Sequence, residues 1–339
     1  MEDRYSLSPE VQKLIESENY SDAAKLFFDE QIKEWERLKV AYNSLNSVQT
    51  KTFWFEGFKI IIQHNPERIK STIAKTEDMF LPSENCFLCE KNLPGKQKGI
   101  ILPGEFKLLC NPFPILPEHF TIPNIKHQPQ HIDDSFNNLL TYSSMFGKRY
   151  SLIYNGPKCG ASAPFHLHFQ MGTKNFIPVE NDIQQIKNDF GKAIVEREEI
   201  SIYALDDECR KMIFVESLER ELISKSFNLI YKELKLFGNI NEEPMLNIIS
   251  SFDEEFGWSV IIILREKHRP EVFYKTDESR VLVSPATIDI GGVLIIPEKK
   301  DFEKINSEMI QNIFREVSFG EEKFLKLFEG LSIKFQDNF

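Results

Sequence analysis

The segment HLHFQ alternates polar and apolar side chains, and this alternation constrains the fold more than any other feature of the chain. Residues two apart in a β-strand lie on the same face, so we expect His166, His168 and Gln170 to share one face. Leu167 and Phe169 then point to the other face, into a core. The two histidines would be about 6.6 to 7 Å apart, close enough to belong to one site.

Small residues precede this strand in the segment NGPKCGASAP. Gly160 and Ser162 allow backbone amides and a hydroxyl group to approach an anion without a cluster of basic side chains. The alternative is a half-buried strand whose histidines face solvent. Two histidines and a glutamine on one face, directly after such a loop, favour an anion-binding site.

Helical and strand patterns are segregated along the chain. Helical spacing is found from about Ser8 to Ser47, Asp133 to Phe146, Glu180 to Glu196, Ser217 to Leu236 and from Asp301 onward. Aromatic and β-branched runs predict strands at Thr52–Gln63, Glu105–Cys110, His119–Ile122, Ser151–Tyr154, His166–Met171, Met245–Ser251, Trp258–Arg265, Val281–Ser284 and Val293–Pro297. Regular βαβ alternation is rare, so the pattern predicts an α+β fold with antiparallel sheets and packed helices.

Composition excludes several classes of protein. The 339 residues include 52 acidic and 41 basic side chains, which gives a net charge of −11. Such a chain is unsuited to coating nucleic acid or an anionic membrane, so any phosphate must be bound by a local site. The longest strongly apolar run, Trp258–Leu264, is far shorter than a membrane span, and the polar start resembles no signal peptide. We therefore expect a soluble cytoplasmic protein.

The five cysteines are an odd number, and two of them form the pair Cys86-x-x-Cys89. In a reducing compartment this spacing favours metal ligation over a disulfide framework. The alternative is two thiols packed in the core.

The segment GASAPFHLHFQ resembles the active-site segment of the transferase branch of the histidine-triad superfamily, whose pattern is H-x-H-x-Q. This branch includes galactose-1-phosphate uridylyltransferase, diadenosine tetraphosphate phosphorylase and GDP-hexose phosphorylase. The cysteine segment NCFLC and the segment NPFPILPEH, which ends at His119, are similar to the same branch. The resemblance implies a nucleotidyltransferase with two histidine-triad-like halves.

The resemblance assigns the nucleophile to His168, which would attack the α-phosphorus and hold the nucleotide until an acceptor takes it. The ring must be neutral with one bare nitrogen, which a carbonyl accepting from the other nitrogen would ensure. Gln170 can orient a phosphoryl oxygen but cannot act as an acid. A phosphate leaving group, with a second pKa of about 6, departs without one, so Gln170 favours transfer between phosphates over hydrolysis of phosphoramidates.

The resemblance also implies a Cys₂His₂ set of Cys86, Cys89, His119 and His166, suited to tetrahedral Zn²⁺. With four protein ligands the metal would be structural and would brace the strand that carries His168. The remaining histidines are assigned to surface or capping positions: His64, His127, His131 and His268.

Substrate contacts are expected from Asn155, Gly160 and Ser162, which lie near His168 in sequence. Arg68 follows a strand at a turn, where the family places substrate-binding residues, and is the first cationic candidate. The alternative for Arg68 is a solvated side chain on a turn.

Three parts are predicted: a helical N-terminal extension (1–50), a catalytic half with the zinc site (51–200) and a degenerate second half (201–339). The expected substrate is a nucleoside diphosphate sugar or a dinucleoside polyphosphate, cleaved at the α-phosphorus with transfer to phosphate or a hexose 1-phosphate. A non-catalytic zinc-stabilised nucleotide-binding protein and a histidine-triad phosphohydrolase are the alternatives. Family analogy also allows a homodimer.

Overall fold

The fold is α+β, as the sequence predicts, with helices ahead of a large antiparallel sheet. The structure is a computed structural model that describes residues 4–69, 84–239 and 241–338. The described helices are α1 (Pro9–Glu16), α2 (Tyr20–Glu34), α3 (Glu36–Ser44), α4 (Phe136–Phe146), α5 (Pro178–Phe190), α6 (Arg220–Leu234), α7 (Glu271–Tyr274), α8 (Thr287–Ile290), α9 (Lys299–Lys304), α10 (Ser307–Val317) and α11 (Glu321–Asn338). None of these helices has the length and hydropathy that a membrane crossing requires.

Thirteen strands are described, and they form two sheets. The strands are β1 (Gln49–Phe55), β2 (Phe58–His64), β3 (Gly99–Leu102), β4 (Phe106–Cys110), β5 (His119–Pro123), β6 (Tyr150–Asn155), β7 (His168–Thr173), β8 (Gly191–Glu196), β9 (Ile200–Asp206), β10 (Lys211–Ser217), β11 (Leu246–Asp253), β12 (Gly257–Leu264) and β13 (Val293–Ile296). A ten-stranded antiparallel sheet has the order β3-β4-β5-β7-β6-β11-β12-β10-β9-β8. A smaller sheet has the order β1-β2-β13, with β13 parallel to β2.

The large sheet contains the same five-strand arrangement twice. The first arrangement contains β3 to β7 and the second contains β8 to β12. From the outer edge of the sheet to its centre, each has its first, second, third, fifth and fourth strand in chain order. A helix, α4 or α6, connects the third of these strands to the fourth. The two arrangements meet where β6 pairs with β11, with Asn155 opposite Asn247. This order assigns β8 to the second arrangement, which therefore begins before the predicted boundary at residue 200.

The two faces of the large sheet are covered by different elements. One core contains side chains of the N-terminal helices, α4, α6 and α11, and includes Leu167, Phe169 and Met171. The other core lies under β2, β13 and α5. The alternation around β7 thus places Leu167 and Phe169 as predicted, but the strand begins at His168. His166 lies in the preceding loop, so the prediction that it is a strand residue is wrong.

Three further element predictions differ from the structure. The run Thr52–Gln63 is not one strand but the hairpin of β1 and β2, which turns at Gly57 with φ +74°. The helix predicted to reach Glu196 ends at Phe190, because Gly191 adopts an extended conformation in which a Cβ would collide with the carbonyl of Lys187. The strand predicted at Val281–Ser284 pairs with no strand in the described part of the chain. Instead, the amides of Val281 and Leu282 donate to the Val272 carbonyl and the Asp301 carboxylate.

The buried carboxyl group of Glu180 should make the stability of the fold depend on pH. Glu180 is the third residue of α5, where its carboxylate accepts from the Ile177 amide at 3.3 Å and from the Ser151 hydroxyl. Burial raises its pKa to about 7. Because this pKa lies above the unfolded value, the folded state holds the proton more tightly, and stability falls as pH rises through 7.

Ionisation of Glu180 should lower the unfolding free energy of the unmodified chain by roughly 2 kcal/mol between pH 5 and pH 8. Glu180→Gln keeps the acceptor but cannot ionise, so we expect this decrease to be absent from the variant. Urea unfolding of both proteins across this range measures the difference. Glu308→Gln, at an exposed position of α10, is the control. Equal pH slopes for Glu180→Gln and the unmodified chain would contradict the assignment.

Candidate functional site

The backbone of His168 is held at the start of β7 by a buried glutamine. The His168 amide donates to Gln130 Oε1 at 2.8 Å. Gln130 Nε2 donates to the carbonyl oxygens of His168 at 2.9 Å and Asn155 at 3.0 Å. Gln130 therefore links β7 to the end of β6. Sequence reasoning missed it, since a single glutamine in a loop carries no local signal.

The imidazole of His168 has one occupied nitrogen and one bare nitrogen. Its Nδ1 lies 2.8 Å from the His166 carbonyl oxygen, which can only accept, so Nδ1 carries the proton. Nε2 is buried and has no hydrogen-bond partner among the described residues. Burial lowers the pKa of His168 to about 4, so the ring is neutral near pH 7. His168 as a whole is 2% exposed.

Gln170 is oriented by His119. The Ile115 amide donates to His119 Nδ1 at 3.3 Å, so the ring proton is on Nε2 and is donated to Gln170 Oε1 at 3.1 Å. Burial, and to a smaller extent the charge of Arg68, lowers the pKa of His119 to about 4. With its carbonyl oxygen held in this way, the Gln170 amide nitrogen remains available as a donor, and no described residue accepts from it.

Two cysteines and two histidines form a compact group, but its fourth member is His127. The ligand atoms of Cys86, Cys89, His127 and His166 all lie within 4.8 Å of one another. Cys86 Sγ is 3.2 Å from His166 Nδ1, and Cys89 Sγ is 3.2 Å from His127 Nδ1. The group could hold a metal ion such as zinc.

The chemistry of these four side chains fits Zn²⁺. His166 Nε2 donates to the Asn124 carbonyl at 2.8 Å, which leaves its Nδ1 bare and directed at the thiols. A zinc-bound histidine usually donates its other ring N–H to a carbonyl or carboxylate in this way. Two sulfur and two nitrogen donors form the tetrahedral set that structural zinc prefers.

The prediction that His119 completes this set is wrong. His119 is hydrogen-bonded to Gln170 and Ile115, so its ring lies with Gln170 and not with the thiols. His127 was assigned to the surface from sequence. It lies on the loop that follows β5, and this loop runs beside the start of β7, where the Leu167 amide donates to the Gln128 carbonyl. The path of this loop places His127 next to the two cysteines.

Asn155 lies beside His168, and residues of the second half fix its side chain. Its Oδ1 accepts from Asn247 Nδ2 at 3.1 Å and from the Thr287 amide at 2.9 Å. No described residue accepts from its Nδ2, which remains available as a donor. Asn247 reaches the site through the β6–β11 pairing and Thr287 through the packing of α8 on β6, so neither was predicted.

The other predicted substrate residues have distinct environments. Gly160 has φ +92°, and a Cβ there would lie 2.5 Å from that of Ala286, so close packing requires glycine. Ser162 is exposed. Arg68 is half-buried, and its Nη1 donates to the Phe113 carbonyl at 3.0 Å. The charge of Arg68 contributes to the lowered pKa of His119.

The second half offers no equivalent of His168. β12 occupies the position in its half that β7 occupies in the first, and its residues Val260–Leu264 are all apolar and buried. The described residues therefore contain one such site per chain.

Comparisons with known proteins match both halves. Residues 27–173 match the family described as Domain of unknown function (DUF4922), and residues 186–336 match the family described as GDPGP1-like, C-terminal domain. Diadenosine 5',5'''-P1,P4-tetraphosphate phosphorylase 2 of Saccharomyces cerevisiae is 28% identical over 170 residues, 45% of this chain and 50% of the yeast protein. The match thus spans about half the length of this relative.

Crystal structures of yeast Ap4A phosphorylase Apa2 share the fold. The complex with AMP has a TM-score of 0.55 at 13% identity, covering 85% of this chain and 96% of the yeast chain. The complex with Ap4A has a TM-score of 0.54 at 14% identity, covering 86% and 97%.

The geometry of the group of Cys86, Cys89, His127 and His166 predicts which histidines are required for zinc binding. We expect the purified chain to contain about one zinc ion, and His127→Ala to lose most of it because two thiols and one imidazole remain. His119→Ala and the exposed His131→Ala should keep it. Inductively coupled plasma mass spectrometry measures the content. Zinc lost from His119→Ala and kept by His127→Ala would reverse the assignment.

Proposed function

Because the chain belongs to the transferase branch of the histidine-triad superfamily, we propose that it is a nucleotidyltransferase of the phosphorylase type. It cleaves a nucleoside diphosphate sugar or a dinucleoside polyphosphate at the α-phosphorus. The nucleotide passes to His168 and then to phosphate or a hexose 1-phosphate. The match to the GDPGP1-like domain supports the first substrate class, and the yeast phosphorylase supports the second.

The bare Nε2 of His168 is the observation that carries this proposal. In the first step its lone pair forms a bond to the α-phosphorus while the bond from phosphorus to the leaving phosphate oxygen breaks. The proton on Nδ1 stays in its hydrogen bond to the His166 carbonyl, which stabilises the charged ring. In the second step an acceptor phosphate oxygen bonds to phosphorus, and the P–N electron pair returns to Nε2.

Gln170 and Asn155 provide oriented amide donors for the phosphoryl oxygens. His119 holds the Gln170 carbonyl, and Asn247 and Thr287 hold the Asn155 carbonyl, so both amide nitrogens can donate to the substrate. Neither side chain can protonate a leaving group. The site therefore suits leaving groups that depart as phosphates, which counts against a hydrolase of phosphoramidates.

Zinc bound to Cys86, Cys89, His127 and His166 would be structural, since four protein ligands leave no position for water. The peptide oxygen of His166 accepts the proton of His168 Nδ1, so fixing the His166 ring also fixes the nucleophile. Arg68 would add a cation on the Gln170 side of the site. His168 is 2% exposed, so a substrate can reach its Nε2 only if neighbouring residues move.

That burial is also the observation that favours the second candidate, a non-catalytic nucleotide-binding protein. The two functions differ in one product. A transferase mixed with substrate and no acceptor accumulates nucleotide on His168, whereas a binding protein releases its ligand unchanged.

We expect a panel of nucleoside diphosphate sugars and dinucleoside polyphosphates to give, with at least one member, a protein adduct of one nucleotidyl group. The adduct should be labile to acid, as phosphoramidates are, and absent from His168→Asn. Intact-protein mass spectrometry detects it, and His131→Asn, at an exposed histidine, is the matched control. Turnover by His168→Asn at the unmodified rate would eliminate the mechanism.

Gln170→Glu tests the neutral donor at phosphorus. The carboxylate would accept from His119 but would repel the phosphoryl oxygens, so we expect kcat/KM to fall by about 100-fold or more. Steady-state formation of the nucleotide product measures this with the substrate that the adduct panel identifies. Gln12→Glu, at an exposed position of α1, should have no effect. Equal activity of both variants would remove Gln170 from the site.

A further inference from the structure

Three cationic side chains are fully buried in the described part of the chain, and two of them have carboxylate partners. Lys107 Nζ lies 2.9 Å from Glu90, and Arg210 Nε donates to Asp207 at 2.7 Å. Arg265 is only 1% exposed, yet no described carboxylate forms an ion pair with it. A buried charge without a counter-charge is costly, so its presence calls for an explanation.

Neutral oxygens accept all five N–H groups of Arg265. These acceptors are the carbonyl oxygens of Val317, Lys267, His268 and Pro285 at 3.0 to 3.2 Å and Asn247 Oδ1 at 2.6 Å. The contacts satisfy the hydrogen-bonding geometry of the guanidinium but do not neutralise it.

The shortest of these bonds leads directly to the candidate site. Asn247 accepts from Arg265 and donates through Nδ2 to Asn155 Oδ1 at 3.1 Å. The backbone carbonyls of Asn155 and His168 both accept from Gln130 Nε2. Hydrogen bonds in such a chain polarise one another, so the Arg265 charge strengthens Asn155 Nδ2 as a donor.

Two buried carboxylates, Asp289 and Glu243, lie in this region, and neither pairs with Arg265. Burial lowers the pKa of both Arg68 and Arg265, and the Asp289 carboxylate opposes that effect at both residues. The Asp289 oxygens themselves accept from the amides of Ala286 and Ile295. The Glu243 carboxylate, which lies near Gly156, accepts from the Tyr154 hydroxyl and the Ile132 amide, so neither carboxylate forms an ion pair with Arg265.

We propose that Arg265 is a positioning residue for phosphate: through Asn247 and Asn155 it supplies the uncompensated charge that attracts and orients the nucleotide phosphate beside His168. This inference rests on the proposed function and deepens it. It also gives the second half a part in the site, although that half has no histidine pair of its own.

The test is the binding of nucleoside monophosphates. For whichever of AMP, GMP, UMP and CMP the unmodified protein binds most tightly, isothermal titration calorimetry should show affinity at least about tenfold weaker in Arg265→Gln. Arg265→Lys keeps the charge but loses hydrogen bonds, so its affinity should stay within about threefold of the unmodified value. Arg210→Gln, a buried arginine paired with Asp207, should cost stability and leave the affinity unchanged.

Asn247→Asp keeps the protein testable if Arg265→Gln does not fold. The new carboxylate would neutralise Arg265 in place but would lose the Nδ2 bonds to Asn155 and Cys159, which Asn247→Ala loses without adding a charge. Affinity should therefore be at least about tenfold weaker in Asn247→Asp than in Asn247→Ala. Affinity in Asn247→Asp no weaker than in Asn247→Ala, or equal losses in Arg265→Lys and Arg265→Gln, would overturn the proposal. If the unmodified protein binds none of the four nucleotides, the proposed function itself fails.

Discussion

One hydrogen bond joins the two parts of the candidate site. His168 Nδ1 donates to the carbonyl oxygen of His166, whose own ring lies against the thiols of Cys86 and Cys89. This bond decides which ring nitrogen of His168 is bare, and it ties the backbone of a potential metal ligand to the proposed nucleophile. The His166 carbonyl therefore sets the tautomer of the proposed nucleophile, and the His166 ring belongs to the candidate metal group.

Much of the fold could be predicted from local patterns, and its errors have physical causes. The α+β class, and strands such as β5 and β12, follow from β-branched runs bounded by turns. The β9–β10 hairpin was not predicted, and its turn contains charged residues of a kind usual at solvated surfaces. In the structure Asp207 and Arg210 of this turn form a buried ion pair. Val281–Ser284 resembles a strand in composition, but its amides bond to other groups.

The candidate site could be predicted only where its residues are close in sequence. The thiol pair and the alternation around His168 are local, and the superfamily resemblance that they carry is confirmed by the comparisons. The choice between His119 and His127 depends on the path of a loop, which no spacing encodes. Asn247 and Arg265 reach the site through pairing of the two halves, so their contribution has no signal near the histidines.

The central pairing of β6 with β11 has a consequence for the integrity of the chain. A fragment limited to either half would expose a full strand edge of unpaired amides and carbonyls where the other half now lies. Such edges recruit other strands, so isolated fragments would be prone to associate with one another or to aggregate. The two halves are a repeat in strand order, yet they are not separable modules.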